Sequence, residues 1–196
     1  VAATVCKLED NEWPELWQFI AAAAQDPHPD ARELAFWLLQ EMTETVGLYL
    51  KPQFANMAET LFASALTDVD PKVQKAAVKA LGQLMSYLAD EPDIEVFVAL
   101  LPGVLQVANR CVQQHDDDTV ATVLDVLYDL AYSPSPAVNA QLTDMVQFCL
   151  ICVASADLEM GVRDSAALVI ATLVEPTWMS EVIRGPLGVW WNWPLA

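Results

Sequence analysis

Four stretches of this chain repeat one pattern, and that repetition constrains the fold more than any other feature. Each has an apolar-periodic segment, a short acidic or proline-bearing turn, and a second apolar segment that opens on a small or β-branched residue. In the clearest copy, Leu61 to Leu66 leads into the turn Thr67-Asp-Val-Asp-Pro71, and the pattern resumes from Lys72 to Gly82. Asp70 there stands as a helix N-cap, with Pro71 at the first helical position, where its missing N–H costs nothing. Val73, Ala76, Ala77, Ala80, Leu81, Leu84 and Leu88 follow on one face at helical spacing. The other copies align by their turns: Gln25 to Asp30 before Ala31, His115 to Thr119 before Val120, and Ala156 to Glu159 before Val162.

With Ala31, Val73, Val120 and Val162 taken as equivalent, the successive steps are 42, 47 and 42 residues. That period belongs to HEAT and armadillo arrays, and two helices per repeat instead of three select HEAT. The chain is therefore expected to be all-α, a HEAT-repeat α-solenoid of about four antiparallel helix pairs. The predicted pairs lie at about 13–24 with 30–46, 52–66 with 71–88, 94–113 with 117–132, and 136–155 with 159–174. The array fills 1–174, with approximate repeats 11–47, 51–88, 93–132 and 135–174. A single pair cannot bury its apolar faces, so neighbours stack and the second helices line an inner wall.

After Val174 the pattern stops. Residues 175–196 hold four of the 7 tryptophans among glycines and prolines, without helical periodicity. They are expected to be an irregular Trp/Pro-rich tail, of the kind a misread exon end produces. Val1 in place of methionine points to a fragment or an incomplete gene model.

Composition narrows the function. The net charge is −18, from 27 acidic and 9 basic side chains, so phosphate backbones and anionic membranes are repelled and basic proteins are the favoured partners. No run reaches the roughly 18 to 20 apolar residues of a membrane span, and no membrane insertion is expected. Cys6, Cys111, Cys149 and Cys152 without a secretory leader point to a reducing compartment. The Cys149/Cys152 spacing matches redox and zinc sites, but it lies in an apolar helical run with no second cysteine pair, which reads as buried free thiols. With no Gly-rich phosphate loop or hydrolase elbow, no cofactor or metal is expected.

Subtracting core positions from each second helix leaves the candidate inner-wall side chains. In the first repeat these are Glu33, Trp37, Glu41 and Glu44, the first three at i, i+4 and i+8. A tryptophan flanked by carboxylates suits a Lys or Arg side chain, whose stem lies on the ring; packing of Trp37 against the next repeat is the plainer alternative. Lys72, Lys75 and Lys79 form a basic stripe in the second repeat, read as a solvated face ion-paired to neighbouring repeats or as a contact for an acidic patch. Thr122, Asp125 and Asp129 make a polar stripe in the third, and Asp164 holds the corresponding place in the fourth. No histidine or nucleophile accompanies the paired carboxylates, so catalysis is not expected. Asp116 to Asp118 reads as a helix cap.

Several local motifs resemble the N-terminal part of the importin-beta (karyopherin-beta) superfamily over roughly 13 to 174, nearest to the importin four, or Ran-binding protein four, subgroup. They are Asn11-Glu-Trp-Pro-Glu-Leu16, Arg32-Glu33, Thr43-Glu-Thr-Val-Gly47, Lys51-Pro-Gln-Phe-Ala55 and Ala77-Val-Lys-Ala-Leu-Gly82. The resemblance implies a receptor that shuttles between cytoplasm and nucleus, takes basic cargo proteins inward, meets nucleoporins, and releases cargo to the GTP form of Ran. It also implies that the repeats carrying much of the Ran-binding surface are missing, which leaves only a partial surface here. Two other readings stand beside it: a HEAT interaction scaffold not regulated by Ran, and a tubulin-binding module of the TOG type. The latter calls for basic loops where this chain has acidic ones.

Overall fold

A computed structural model of the chain describes residues 14–88, 91–132 and 136–174. Among them there is no strand, and the helices form four pairs in chain order. In the first, α1 (Pro14–Ala23) precedes α2 (Pro29–Val46). A 3-10 turn at Gly47–Gln53 leads into α3, which starts as Phe54–Asn56, widens to a π-helical stretch at Met57–Phe62 and ends as Ala63–Leu66. Its partner is α4 (Pro71–Tyr87). The third pair is α5 (Glu95–Val98) and α6 (Leu101–Gln113) against α7 (Asp117–Ala131), and the fourth is α8 (Pro136–Ala154) with α9 (Met160–Val174). Ala31, Val73, Val120 and Val162 all fall in the first turn or just beyond it, as their equivalence requires.

The starts follow local chemistry. Asp70 accepts the Lys72 N–H at 2.9 Å, and Pro71 opens α4. Asp116 caps α7, accepting the Thr119 N–H at 3.2 Å and the Thr119 hydroxyl at 3.1 Å. α6 ends with His115 at φ 56°, in the left-handed region. The Asp116 N–H reaches the Cys111 carbonyl at 3.0 Å and the His115 N–H reaches Val112 at 3.3 Å, the paired bonds of a Schellman stop.

Stacking is closest between the second helices. α2 packs along α4, α4 along α7 and α7 along α9, while the first helices touch less extensively. At Gly82 an added Cβ would lie 3.1 Å from both Thr122 Cγ2 and Val126 Cγ2, so α4 and α7 approach through a missing side chain. On the other side of the core, Phe36, Phe62, Phe97 and Phe54 form a continuous aromatic chain with centroid separations of 5.6, 6.1 and 5.2 Å. It joins α2, α3 and α5, and so three repeats.

Three expectations need correction. The first helix of the third repeat is not continuous over 94–113: its halves meet at 58° around residues 99 and 100. Pro102 explains the break, since it lacks an N–H and its ring excludes the helical carbonyl four residues before. The second pair opens later than 52, because Pro52 lies inside a 3-10 turn. Finally, α8 does reach the length and apolarity of a membrane span, with 19 residues and a mean hydropathy of 1.4 over its best window. Its polar residues are scattered along it at Asn139, Asp144 and Gln147, which an unbroken apolar count passes over. Val138, Met145, Phe148, Cys149 and Cys152 are buried against the array, while the opposite face, with Leu150 and Ile151, is exposed. Burial pushes both Cys149 and Cys152 up to about 12, so these thiols are inert packing groups. The Trp/Pro-rich tail and Trp13 lie outside the described residues.

Two substitutions test these contacts by thermal or urea unfolding. Gly82→Leu is expected to lose about 1 to 3 kcal/mol by overpacking the α4–α7 contact. His115→Gly is expected to gain up to about 1 kcal/mol by relieving left-handed backbone strain.

Candidate binding surface on the second helices

The sequence-predicted residues separate into two groups. Glu33, Trp37, Lys72, Lys75 and Lys79 line one groove of about 470 Å³ between α2 and α4, closed at its far end by Asp116 and Thr119 of the third repeat. Asp30, Leu34, Gln40 and Ala76 complete it. Trp37 is 52% exposed and Leu34 42%, so the α2 wall offers open apolar surface beside Asp30, Glu33 and Gln40. Trp37 does not disappear into the inter-repeat core. Glu41 and Glu44 lie outside the groove lining, exposed further along α2. Asp125, Asp129 and Asp164 are not in it either: Asp125 and Asp164 are exposed and Asp129 is half-buried.

The lysine stripe is tied down. Lys75 meets Asp116 at 2.6 Å, and Lys79 pairs with Asp118. Lys72 has only a loose approach of 3.9 Å to Asp30, with both side chains well exposed. Asp117 Oδ2 accepts the backbone N–H of Glu159 at 2.7 Å. The run Asp116 to Asp118 therefore does more than cap a helix, because its three carboxylates reach α4 on one side and the α9 turn on the other. The signal available in the sequence was opposite charge about one repeat apart, as in the 39-residue separation of Lys79 and Asp118.

The same geometry recurs one repeat earlier. Arg32 donates Nε to Asp68 Oδ2 at 2.7 Å and Nη2 to Asp68 Oδ1 at 2.9 Å, while Nη1 reaches the carbonyls of Asp26 and Pro27 at 2.8 and 3.0 Å. Gln74, at the position in α4 that Arg32 holds in α2, donates to the Asp68 carbonyl and accepts from Arg110 at 2.7 Å. The Arg32 hydrogen bond holds the Asp68 carboxyl below the usual carboxylate range. Burial would raise Asp116, but the Lys75 contact and the Thr119 N–H more than offset it and leave it lowered.

Asp125 goes the other way. It keeps solvent access, yet crowding by the neighbouring helices raises it above the ordinary value, and the Asp129 charge one turn on raises it further. With Asp118 and Thr122 these residues stand at i, i+4, i+7 and i+11 along one face of α7. Asp118 pairs with Lys79, while Asp125 and Asp129 have no cation partner among the described residues.

Residues 1–148 match a protein family described as IPO5-like, TPR repeats. The chain belongs to the IPO5-like family of the importin-beta superfamily. It is 27% identical over 165 residues to importin subunit beta-3 of Saccharomyces cerevisiae, an alignment covering 83% of this chain and 14% of that protein. A probable importin-5 homolog of Dictyostelium discoideum is 27% identical over 108 residues, or 54% of this chain and 10% of its own length. Among solved structures, Kap121p bound to the SUMO protease Ulp1p superposes with a TM-score of 0.63 at 25% identity, covering 82% of this chain and 15% of that one. Kap121p bound to Nup53p gives 0.62 over the same shares. The chain thus spans about one seventh of the yeast relative it matches.

These matches name importin-5-type proteins, where the motifs pointed toward importin four. Although the family description speaks of TPR repeats, steps of 42 to 47 residues exceed the 34 of that repeat and fit HEAT. The importin-like motifs also have structural explanations. Arg32 is the ladder residue above, the Thr43 hydroxyl is buried and donates to the Leu39 carbonyl at 2.9 Å, and Lys51 pairs with Asp93 of the third repeat at 2.5 Å. Much of what resembles the family holds one repeat against the next.

The opposed carboxyl shifts predict opposed pH behaviour. Asp68 has a lowered native pKa, so it adds stability above its unfolded value near 4 and loses it as pH falls through the native value. Asp68→Asn is therefore expected to lower Tm at pH 7, with the difference from the unsubstituted chain shrinking as pH falls below about 4. Asp125 has a raised native pKa, so its ionisation costs stability above about pH 4; Asp125→Asn is expected to leave Tm unchanged or raise it at pH 7. Thermal melts across pH 3 to 7 check both signs.

Proposed function

We propose that this chain is a segment of a nuclear transport receptor, which binds basic cargo proteins along the inner wall of its second helices during import into the nucleus. The observation that carries this reading is the family match over residues 1–148. Chemical support comes from Asp125 and Asp129, whose mutual repulsion a cationic side chain would relieve. A net charge of −18 also draws positively charged partners from a distance. Ran in its GTP form and nucleoporins are further proposed partners, and Kap121p, to which the chain is similar, has been crystallised with Nup53p. On this reading the protein shuttles between cytoplasm and nucleus. It acts by association, as a transport receptor and not an enzyme.

The experiment is a binding assay with the immobilised chain, basic nuclear proteins, and a salt series with and without GTP-loaded Ran. Binding is expected to fall steeply between about 50 and 300 mM salt as the Debye length shortens. It is expected to be lost on Asp125→Lys with Asp129→Lys, and to weaken when Ran-GTP is present. Salt-independent binding, or full binding by the double reversal, would remove the electrostatic inner wall from the account. Binding indifferent to Ran would favour the scaffold reading.

A further inference from the structure

The groove between α2 and α4 has a property that neither of its walls has alone. Its lysines would repel a basic ligand, but Lys75 and Lys79 are already answered by Asp116 and Asp118 from the third repeat. Glu33, on the opposite wall, has no hydrogen bond or ion pair among the described residues and stands one turn before the half-exposed ring of Trp37. The charge left without a partner on the α2 wall is therefore carboxylate, set beside an open aromatic face. Leu34 adds exposed apolar surface next to it, and Gln40 a polar edge.

From this arrangement we infer that the groove is a docking site for a single arginine or lysine of an extended basic peptide, with an apolar neighbour. The aliphatic stem lies on Trp37, the cationic head turns to Glu33, and the adjacent apolar side chain covers Leu34 and Ala76. Geometry favours arginine over lysine, since the planar guanidinium stacks on the ring while two of its N–H groups face a carboxylate. The inter-repeat ion pairs matter as much as the contacts: Asp116 and Asp118 neutralise Lys75 and Lys79, and Lys72 faces Asp30 at 3.9 Å. The occupant is thus basic. This proposal rests on the reading of the inner wall as a surface for basic ligands, and adds which repeat selects a particular side chain.

The test uses the whole 196-residue chain and a fluorescein-labelled twelve-residue peptide, about the length of an extended segment crossing two repeats, with three arginines and one leucine in a Gly/Ser frame. Anisotropy titration is expected to show Trp37→Ala weakening binding about 2- to 30-fold, with Trp37→Tyr retaining most of it. Glu33→Gln should weaken binding less and flatten its salt dependence. Because Trp37 is half exposed, its replacement should leave the melting temperature nearly unchanged, which separates lost binding from lost fold. Photo-crosslinking from the peptide leucine should map to α2 and α4. If Trp37→Ala binds like the unsubstituted chain while Asp125→Lys/Asp129→Lys abolishes binding, the groove is not the site and the wider function survives. If neither the peptide nor basic cargo binds at all, both fall. Tighter binding of a peptide with glutamates in place of its arginines would overturn the inferred charge preference and assign the groove to Lys72.

Discussion

Each helix pair in this chain has more apolar surface than its own two helices can cover, and the whole architecture follows from that deficit. A side chain such as Phe62, fully buried in the array, belongs to a helix pair that cannot enclose it. Phe36 comes from the repeat before and Phe97 from the repeat after, so the ring is enclosed only when three repeats stack. Once stacking is obligatory, the second helices must lie side by side. Gly82 marks how close that approach is, with the side chains of Thr122 and Val126 occupying the place where its Cβ would be. The close approach of the second helices follows from the way the core is closed.

Hydrophobic stacking is indifferent to small rotations, and charged turn residues supply the register. Arg32 with Asp68, and Lys75 with Asp116, each tie the start of one second helix to the turn that precedes the next. These pairs are short-ranged and partly sheltered, so they specify geometry more than they add stability. They also decide what the surface offers. Two of the three stripe lysines are committed to the framework, whereas Glu33, Asp125 and Asp129 are not paired with any cation among the described residues. The acidic character of the second-helix surface therefore reflects which charges the inter-repeat pairs leave over, as well as the overall excess of carboxylates.

Much of this was legible before any coordinates. The 42- to 47-residue step, the Asp70–Pro71 start and the burial of Val73, Ala77, Leu81 and Leu84 all follow from spacing and cap chemistry. What spacing along one helix cannot reveal is the partner across a repeat. The lysine stripe reads from the sequence as paired to neighbouring repeats or facing an acidic patch, but spacing does not name Asp116 and Asp118 as the partners of Lys75 and Lys79, and the run Asp116 to Asp118 reads on its own helix as a cap. The break before α6 has a related cause: apolar periodicity continues through 94–113, whereas Pro102 turns the chain by 58°. Leu34, Gln40 and Thr119 escaped because a groove is a property of two facing helices.

The central claim is that neighbouring repeats meet through their cores, and a double-mutant cycle on Phe62 and Phe97 tests it most directly. These rings, in α3 and α5, are edge-to-face at 89° with centroids 6.1 Å apart. Unfolding free energies of Phe62→Leu, Phe97→Leu and the double variant are predicted to be non-additive, with a coupling of about 0.5 to 1.5 kcal/mol. Losses that simply add would mean that the two rings do not touch and that these repeats are not stacked as described.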